Sequence, residues 1–288
     1  MSSVDLLCLV GVVVFAVTCI VIGDTAGKTL TGNGFDPFFV AWSRFVLAAV
    51  VLLPFSGLSR KELPNLLSVP VLIRSVFIVG GISCILTALK TEPMANAFGA
   101  FFIGPVVAYV LAIIFLGEKP SRMRSALLAL GFLGVMFVVK PGFGATIGMA
   151  YALGAGTFYG AYLVMTRTVA GLYRPRFLLM SQLLIGAVIL SPLGMTATFP
   201  QINLGWAALI AVSALGSAVG NFLLVIASRG AEASLIAPLI YSQLIVATLL
   251  GVLVFGDWPD GYTLLGLAMI VASGAGSLVA NRSKVSVG

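Results

Sequence analysis

Residues 94–120 read MANAFGAFFIGPVVAYVLAIIFLGEKP, an apolar run that ends in a Gly-Glu-Lys-Pro corner. No charged side chain occurs from Met94 to Leu116. A helix needs about 20 apolar residues to cross the ~30 Å hydrocarbon core of a bilayer. This run is long enough to cross, and the polar corner predicts where the helix leaves the membrane.

Runs of this kind recur along the whole chain. Of its 288 residues, 60% are hydrophobic and 9% are charged, whereas soluble domains have about 25% charged residues. The runs lack the alternation of a membrane β-barrel, so strands are excluded. The sequence therefore predicts an all-α membrane protein with ten transmembrane helices. They are placed at 5–28, 36–56, 69–89, 94–116, 122–139, 147–166, 176–195, 204–227, 233–255 and 262–281.

Positive charges predict the orientation, because Lys and Arg concentrate in cytoplasmic loops. The loops on the side opposite the termini hold only Lys28, Lys90 and Lys140. The loops on the side of the termini hold Arg60, Lys61, Arg74, Lys119, Arg122, Arg124, Arg167, Arg174, Arg176, Arg229, Arg282 and Lys284. We therefore expect a multi-pass protein of the bacterial inner membrane with both termini in the cytoplasm. The net charge of +7 then reflects topology rather than nucleic-acid binding.

The two halves of the chain resemble each other. One offset places Lys90 on Arg229 and Gly81 on Gly220, and it brings the corner LGEKP at 116–120 onto FGDWP at 255–259. Each half contains five predicted spans, an odd number, so the second copy must cross the membrane in the opposite sense. The sequence predicts two inverted five-helix repeats, residues 1–140 and 147–288, with a substrate site between them near the midplane.

These corners and the Ala-Leu-Lys turn that ends at Lys90 resemble the EamA-type permeases of the drug/metabolite transporter superfamily. The resemblance covers nearly the whole chain. It implies a ten-helix carrier with a central cavity, and many such carriers export amino acids or other metabolites. We therefore expect a secondary transporter that exports small metabolites, above all amino acids, by alternating access. The spacing looks most similar to the aromatic amino acid exporter branch, whose cavity aromatics match Phe102 and Tyr159 here. Gly104 stands where that branch has a large aromatic, which opens the cavity.

Polar and aromatic residues inside the spans are the candidates for substrate binding, because polar side chains in hydrocarbon are costly unless they face a partner or a cavity. Serine and threonine have a second interpretation, since they also pack helices and bond their own backbone. The predicted substrate-binding residues are Phe15, Thr18, Ser83, Thr87, Phe98, Phe102, Tyr159, Tyr162, Asn221, Tyr241 and Gln243.

Prolines within or near the ends of spans are candidate hinges for alternating access. They are Pro54, Pro105, Pro192 and Pro238. Proline frees a backbone carbonyl that a neighbouring helix or water must satisfy, so each is a point at which a helix can bend. Static kinks are the alternative. The GxxxG spacings at Gly156 and Gly160 and at Gly216 and Gly220 predict close helix contacts.

Arg44 is the only basic residue that the loop assignment leaves inside a span. It would bind a substrate carboxylate, or it would form a structural ion pair or reach the headgroups, which we favour. With one buried cation, phosphorylated substrates are disfavoured. Asp24 precedes Lys28 by one helical turn, so we expect these two to pair locally.

No acidic residue is assigned deep within a span, and histidine is absent. A proton relay would use such residues, so we expect uncoupled transport, although sodium coupling through backbone carbonyls stays open. An intramembrane enzyme is disfavoured, and no metal or cofactor is expected. A channel, a facilitator for small polar solutes and a carrier of drug-like compounds are the alternatives. The expected partners are a small-molecule substrate, such as an amino acid or related metabolite, and the lipid bilayer, and a monomer suffices.

Overall fold

A computed structural model describes residues 3–117, 120, 122–140, 145–230 and 239–285 of the chain. Within these ranges the protein is helical and contains no β-strand. The helices of the first half are α1 (Ser3–Gly32), α2 (Pro37–Ser56), α3 (Val69–Thr91), α4 (Met94–Phe101), α5 (Gly104–Leu116) and α6 (Arg122–Val139). Those of the second half are α7 (Ile147–Val169), α8 (Pro175–Thr196), α9 (Leu204–Gly230), α10 (Ser242–Leu250) and α11 (Gly261–Val285). A 3₁₀ helix, Arg60–Leu67, precedes α3, and a π-helical turn, Gly251–Phe255, follows α10.

The protein is a multi-pass membrane protein. Among the described residues, seven helices are long and apolar enough to span a bilayer. They are Cys8–Gly32, Pro37–Ser56, Val69–Thr91, Met94–Leu116, Ile147–Val169, Pro175–Thr196 and Leu204–Leu224. Three shorter apolar helices are Ser125–Val139, Ser242–Phe255 and Gly261–Gly276. Their positions follow the predicted runs, and the total of ten crossings stays a prediction.

Capping residues set where several helices begin and end. The Asp36 side chain accepts a hydrogen bond from the backbone N–H of Phe38 at 2.7 Å, and Pro37 occupies the first turn of α2. Both motifs suit a helix N-terminus, where backbone N–H groups lack partners. At the two matched corners, Gly117 and Gly256 adopt left-handed backbone conformations (φ 65° and 69°) that end α5 and the π-helical turn. Glycine adopts this conformation without a steric penalty.

The predicted hinge prolines differ in their structural settings. Pro105 lies in the first turn of α5, which begins at Gly104 after the interruption at Phe102 and Ile103 that separates α4 from α5. Pro54 and Pro192 lie inside α2 and α8, which continue past them. Pro238 lies outside the described residues. Their role in transport stays a prediction.

Helices of the first half pack mainly on helices of the second half. The principal pairs are α1 with α9, α3 with α7, α2 with α8 and α6 with α11. Glycines allow the closest approaches, because a Cβ at Gly220 would overlap the Ala16 carbonyl and one at Gly160 would overlap the Gly104 carbonyl. Close approach maximises van der Waals contact, the force that joins helices in lipid. The predicted packing role of the two GxxxG pairs is confirmed.

The outer surface is apolar. Large hydrophobic side chains are exposed all around the bundle, among them Phe55, Phe115, Val188 and Leu253. A soluble protein rarely exposes apolar surface on this scale. In a bilayer the lipid chains cover it, so the surface composition agrees with a membrane-embedded bundle.

Candidate functional site

A cavity lies where the two halves meet, between α1, α2, α3, α4, α7, α9 and α10. We call it the central cavity. Four of the predicted substrate-binding residues line it: Phe98, Tyr159, Asn221 and Gln243. The other lining residues are Ile20, Asp24, Arg44, Ile78, Gly81, Ile82, Ile85, Phe101, Ser217 and Leu224.

Several polar groups of the central cavity have spare hydrogen-bonding capacity. Gln243 is 7% exposed, and its amide makes no hydrogen bond within the described part of the chain. The hydroxyl of Tyr159 likewise has no hydrogen-bond partner among the described residues. Asn221 donates from Nδ2 to the Ser217 carbonyl at 2.8 Å, which leaves its own oxygen as an acceptor. Leaving a buried polar group unpaired costs about 1–3 kcal/mol, so these groups favour a bound polar ligand or water.

Aromatic rings form one wall of the central cavity. The Phe101 and Tyr159 rings lie 5.2 Å apart between centroids, and Tyr159 stacks on Tyr162 at 5.9 Å. A second stacked pair, Phe102 on Tyr241 at 4.9 Å, joins the end of α4 to the residue before α10. These separations suit stacked or edge-to-face aromatic contacts, and of these rings Phe101 and Tyr159 line the cavity itself.

A buried ion pair faces the aromatic wall. Arg44 Nη1 donates to Asp24 Oδ1 at 2.6 Å, Nη2 donates to the Gly23 carbonyl at 2.8 Å, and Nε donates to Ser213 Oγ at 2.8 Å. Both side chains are buried. The ion-pair interpretation of Arg44 is confirmed. Asp24 is therefore a buried acidic residue inside a span, although the sequence predicted no acidic residue deep within one.

The local pair expected between Asp24 and Lys28 is wrong. Lys28 instead forms an ion pair with Asp257 at 3.5 Å and donates to the Glu92 carbonyl at 2.6 Å. Asp24 pairs with Arg44 of α2 instead. A guanidinium inside the bundle presents several donors in a fixed planar arrangement and is shielded from water, so it binds a carboxylate more strongly than a lysine at the helix end does.

Comparison with known families tests the family resemblance that the corners at 116–120 and 255–259 predicted. The model of the EamA-like transporter family matches residues 3–140 and 146–279. The chain belongs to the EamA-like transporter family. Members of this family are membrane transporters rather than enzymes, so the chain is a membrane transporter of small metabolites.

Curated EamA-like relatives are named for specific metabolites. A riboflavin transporter of Rhizobium johnstonii is 28% identical over 207 residues, covering 70% of this chain and 67% of the relative. An S-adenosylmethionine uptake transporter of Rickettsia felis is 26% identical over 252 residues, with coverages of 86% and 84%. A riboflavin transporter of Vibrio cholerae is 27% identical over 245 residues, with coverages of 81% and 80%. None of these three names mentions amino acid export.

A solved crystal structure shares the fold of this EamA-like chain. The two superpose with a TM-score of 0.64 at 19% sequence identity, over 95% of this chain and 98% of the other. The match to the EamA-like family model confirms the family resemblance predicted from the corners, whereas the aromatic amino acid exporter branch is not confirmed.

A second buried arginine corrects the assignment of Arg74 to a loop. The side chain lies inside α3 and is 1% exposed. Its guanidinium donates to Tyr162 OH at 2.7 Å, Gln182 Oε1 at 3.0 Å, the Leu178 carbonyl at 2.9 Å and Thr166 Oγ1 at 2.9 Å. The signal was present in the sequence, because residue 74 falls within the predicted run 69–89. The argument against phosphorylated substrates, which counted Arg44 as the only buried cation, therefore fails.

Seven predicted substrate-binding residues are not among those lining the central cavity. Three of them pack nearby: Tyr162 accepts a hydrogen bond from Arg74, and the Phe102 ring stacks on Tyr241. Phe15 is 59% exposed, and the Thr18 hydroxyl donates to the carbonyl of Val14 in its own helix. Ser83 and Thr87 line a separate, apolar cavity of about 290 Å³ between α2, α3, α7 and α8. Their contact with substrate stays a prediction without support from the cavity.

Further spaces share lining residues with the central cavity, and we call this series of spaces the channel; the first of them has a volume of about 20 Å³. Arg44 and Asn221 line both the central cavity and the adjoining space, which Gln182 and Leu179 also line. Leu179 in turn borders an opening at the surface beside Arg176. The sequence alone does not identify Gln182 as a site residue, because its position in α8 does not show which side chains of other helices it contacts.

Ion pairs occupy the two ends of the bundle. At one end, called the Lys28 end, Lys140 pairs with Asp260 and lowers the pKa of that carboxyl to about 2. At the opposite end, called the Glu62 end, Arg174 Nε lies 2.6 Å from Glu62 Oε1. Hydrogen bonds from Arg174 lower the pKa of Glu62 to about 2, and the carboxylate raises the pKa of Arg174. Each end therefore has an ion pair that joins residues of the first half to residues of the second half.

Proposed function

We propose that this EamA-like transporter is an alternating-access carrier for a metabolite that has a flat heteroaromatic ring and polar substituents. The observation that carries the proposal is that the Gln243 amide and the Tyr159 hydroxyl line one aromatic-walled cavity and have no hydrogen-bond partner among the described residues. A flat ring would stack on the Phe101 and Tyr159 rings, and ring nitrogens or carbonyls would bond to the two free polar groups.

The names of the relatives support a heteroaromatic substrate. Riboflavin and S-adenosylmethionine, for which three relatives are named, both contain a flat nitrogen heterocycle with a polar chain. A pocket with stacking surfaces and a few hydrogen-bonding groups suits such molecules, because the ring supplies contact area and the polar groups orient it.

Amino acid export is the second candidate, and the Asp24–Arg44 pair favours it. An ion pair on the cavity wall offers a negative site for an ammonium group and a positive site for a carboxylate. A carrier without coupling moves its substrate down whichever gradient exists, so uptake and export would use one mechanism. We propose such uncoupled transport, because Asp24 is already occupied by Arg44 rather than free to carry a proton.

The helix packing supports two inverted repeats, residues 1–140 and 147–288, with ten crossings. Gly220 lies against the Ala16 carbonyl, and Gly81 lies against the Ala155 carbonyl. The sequence offset that relates the halves exchanges these two contacts. We propose that both termini are cytoplasmic, with the Glu62 end on the cytoplasmic side of a bacterial inner membrane, and that the monomer transports.

The size of the central cavity supports alternating access. Its volume is about 60 Å³, whereas pockets for drug-sized ligands have ~300–1,000 Å³. Substrate entry therefore requires helices to separate. We propose that they bend at Pro105, where α4 and α5 are already interrupted, and at Pro54 and Pro192, while the ion pairs at one end open.

Counterflow in proteoliposomes tests the proposal. Vesicles preloaded with riboflavin, S-adenosylmethionine or single amino acids would be given the labelled compound outside, with and without a pH gradient. We expect saturable exchange of at least one heteroaromatic compound at equal rates in both conditions. Gln243→Leu should reduce this exchange by about tenfold or more, the value of one hydrogen bond to a polar ligand.

Thr248→Val is the matched control on the same helix, because its hydroxyl donates to the Leu244 carbonyl and does not line the central cavity. Exchange of amino acids alone would favour the second candidate. A strict requirement for the pH gradient would contradict uncoupled transport, and unsaturable flux would indicate a channel.

A further inference from the structure

Gln182 is oriented by two hydrogen-bond donors. It lies on α8, is 4% exposed, and accepts at Oε1 from Arg74 Nη2 and from Tyr162 OH, each at 3.0 Å. Since both neighbours donate, the amide oxygen must face them, and the amide Nε2 must face the other way. This fixes the orientation of the amide without reference to any ligand.

The Nε2 group of Gln182 is an unused donor on the channel wall. Gln182 lines the channel next to Arg44 and Asn221. Within the described ranges its Nε2 donates to no protein atom. A buried N–H group favours an acceptor, so the channel offers a donor that no described residue of the protein satisfies.

Arg74, behind this donor, carries a positive charge that no acid within the described residues balances. Its hydrogen bonds go to two hydroxyls, one amide and one carbonyl, all neutral. Among the residues that the structure describes, no carboxylate lies within ion-pair distance of it, whereas Arg44 is paired with Asp24. A buried charge acts over a longer range than an exposed one, because the surrounding dielectric is low.

Asp24 offsets the charge of Arg44, so the net positive charge of the described part of the channel comes from Arg74 and Arg176. Arg44 lies at its inner end, Arg74 lies behind Gln182, and Arg176 borders the opening at the surface. Asp24 is the acidic residue that lines the described part of this route. Such an arrangement attracts anions and repels cations.

We propose that the Gln182 amide, backed by Arg74, is a subsite for an anionic group, a carboxylate or a phosphate, of the transported metabolite. This rests on the proposed function, because it assumes that the cavity and channel take a metabolite. Gln182 contacts the anion through Nε2. Arg74 is a positioning residue, which holds the amide in place and contributes its charge through it.

Two matched pairs of probes test the subsite. Each pair shares a flat ring and differs in one anionic group: indole-3-propionate against indole-3-propionamide, and flavin mononucleotide against riboflavin. Affinities for the purified full-length protein in detergent would be measured by equilibrium dialysis. We expect the wild type to bind the anionic member of at least one pair about tenfold or more tightly, as a charge-assisted hydrogen bond allows. The first pair tests a carboxylate, the second a phosphate.

Gln182→Glu separates a binding role from a structural one. The new carboxylate would pair with Arg74, so the fold should be kept, but the donor would be lost and the charge neutralised. We expect the anionic preference to disappear while the affinity for the neutral member changes little. Gln201→Glu, the same change at an exposed position, is the control. Arg74→Gln should likewise reduce the preference, and Arg74→Lys should retain part of it.

The outcomes distinguish the two proposals. Equal binding of both members of each pair by the wild type, or an unchanged preference in Gln182→Glu or Arg74→Gln, overturns the anion subsite and leaves the heteroaromatic carrier intact. Binding of none of the four probes contradicts both. Loss of anionic preference in Gln201→Glu as well would show that the effect is a general one of net charge, which also overturns the subsite.

Discussion

Arg44 donates from Nε to Ser213 Oγ at 2.8 Å, and the offset that relates the two halves of the sequence places Ser213 on Arg74. Arg44 of α2 bonds to residues of α1 and α9, whereas Arg74 of α3 bonds to residues of α7 and α8. The offset exchanges these two sets of three helices. The two arginines are not at equivalent positions in the two halves, yet each joins one of these equivalent sets of helices. Arg44 bonds to an acid, Asp24, whereas the described partners of Arg74 are neutral.

Removal of the Ser213 hydroxyl tests the importance of the Arg44 junction. Ser213 is fully buried, so Ser213→Ala leaves the Arg44 Nε donor without its acceptor. We expect a loss of about 1–3 kcal/mol in stability, the cost of an unsatisfied buried donor. Thermal unfolding in detergent measures it. Thr168→Ala, which removes an exposed hydroxyl bonded within its own helix, should change little; equal losses in both variants would contradict the prediction.

The buried ion pair should show strong energetic coupling. Asp24→Asn or Arg44→Gln alone leaves one buried charge unpaired, and we expect each to cost about 3–5 kcal/mol. The double variant removes both charges and should recover a large part of that loss. A double-mutant cycle measured by unfolding gives the coupling energy. Simple addition of the two single losses would show that the pair is energetically unimportant.

The close contact of α1 with α9 should not tolerate a methyl group. A Cβ at Gly220 would overlap the Ala16 carbonyl, so Gly220→Ala must push the helices apart. We expect a loss of about 1–3 kcal/mol, typical of overpacking. At Gly11, on the exposed face of α1, a Cβ meets no atom within 4 Å, and Gly11→Ala should be neutral. If Gly220→Ala is also neutral in thermal unfolding, the contact is looser than described.

The Glu62–Arg174 pair should make stability depend on pH at the Glu62 end. Because the folded pKa of Glu62 is about 2, below its usual value of 4.5, the pair stabilises the folded state fully above about pH 4.5. That contribution is lost as the pH falls towards 2. We expect the apparent melting temperature to fall less steeply in Glu62→Gln than in the wild type between pH 5 and pH 2.5. Parallel curves for the two proteins would refute this assignment.

Cysteine labelling tests the predicted orientation. In a variant with Cys8, Cys19 and Cys84 replaced by serine, single cysteines at Ser59 and Gln201 lie in connections at opposite ends of the bundle. We expect a membrane-impermeant maleimide applied to spheroplasts to label Gln201→Cys and to leave Ser59→Cys unlabelled until the membrane is broken. The reverse pattern would invert the predicted topology, and labelling of both would contradict it.

Much of the helical framework was predictable from the amino-acid order. The predicted runs 36–56 and 69–89 agree to within two residues with α2 and α3. In lipid the backbone polar groups must bond to each other, and a helix satisfies them within one segment. The glycines of the two corners end helices for a local reason as well, since residues such as Gly117 adopt a positive φ at little cost. The family relationship followed from the same corners.

The partners of the buried charges were not predictable in this way. Local spacing paired Asp24 with Lys28, yet Asp24 meets Arg44 of another helix. The same limit hid Arg74 and Gln182, whose hydrogen bonds join α3 to α8. Helix formation depends on neighbours along the chain, so the order of residues specifies it. The pairing of side chains across helices depends on which faces meet in space, because a buried charge selects the nearest strong acceptor whatever its distance along the chain.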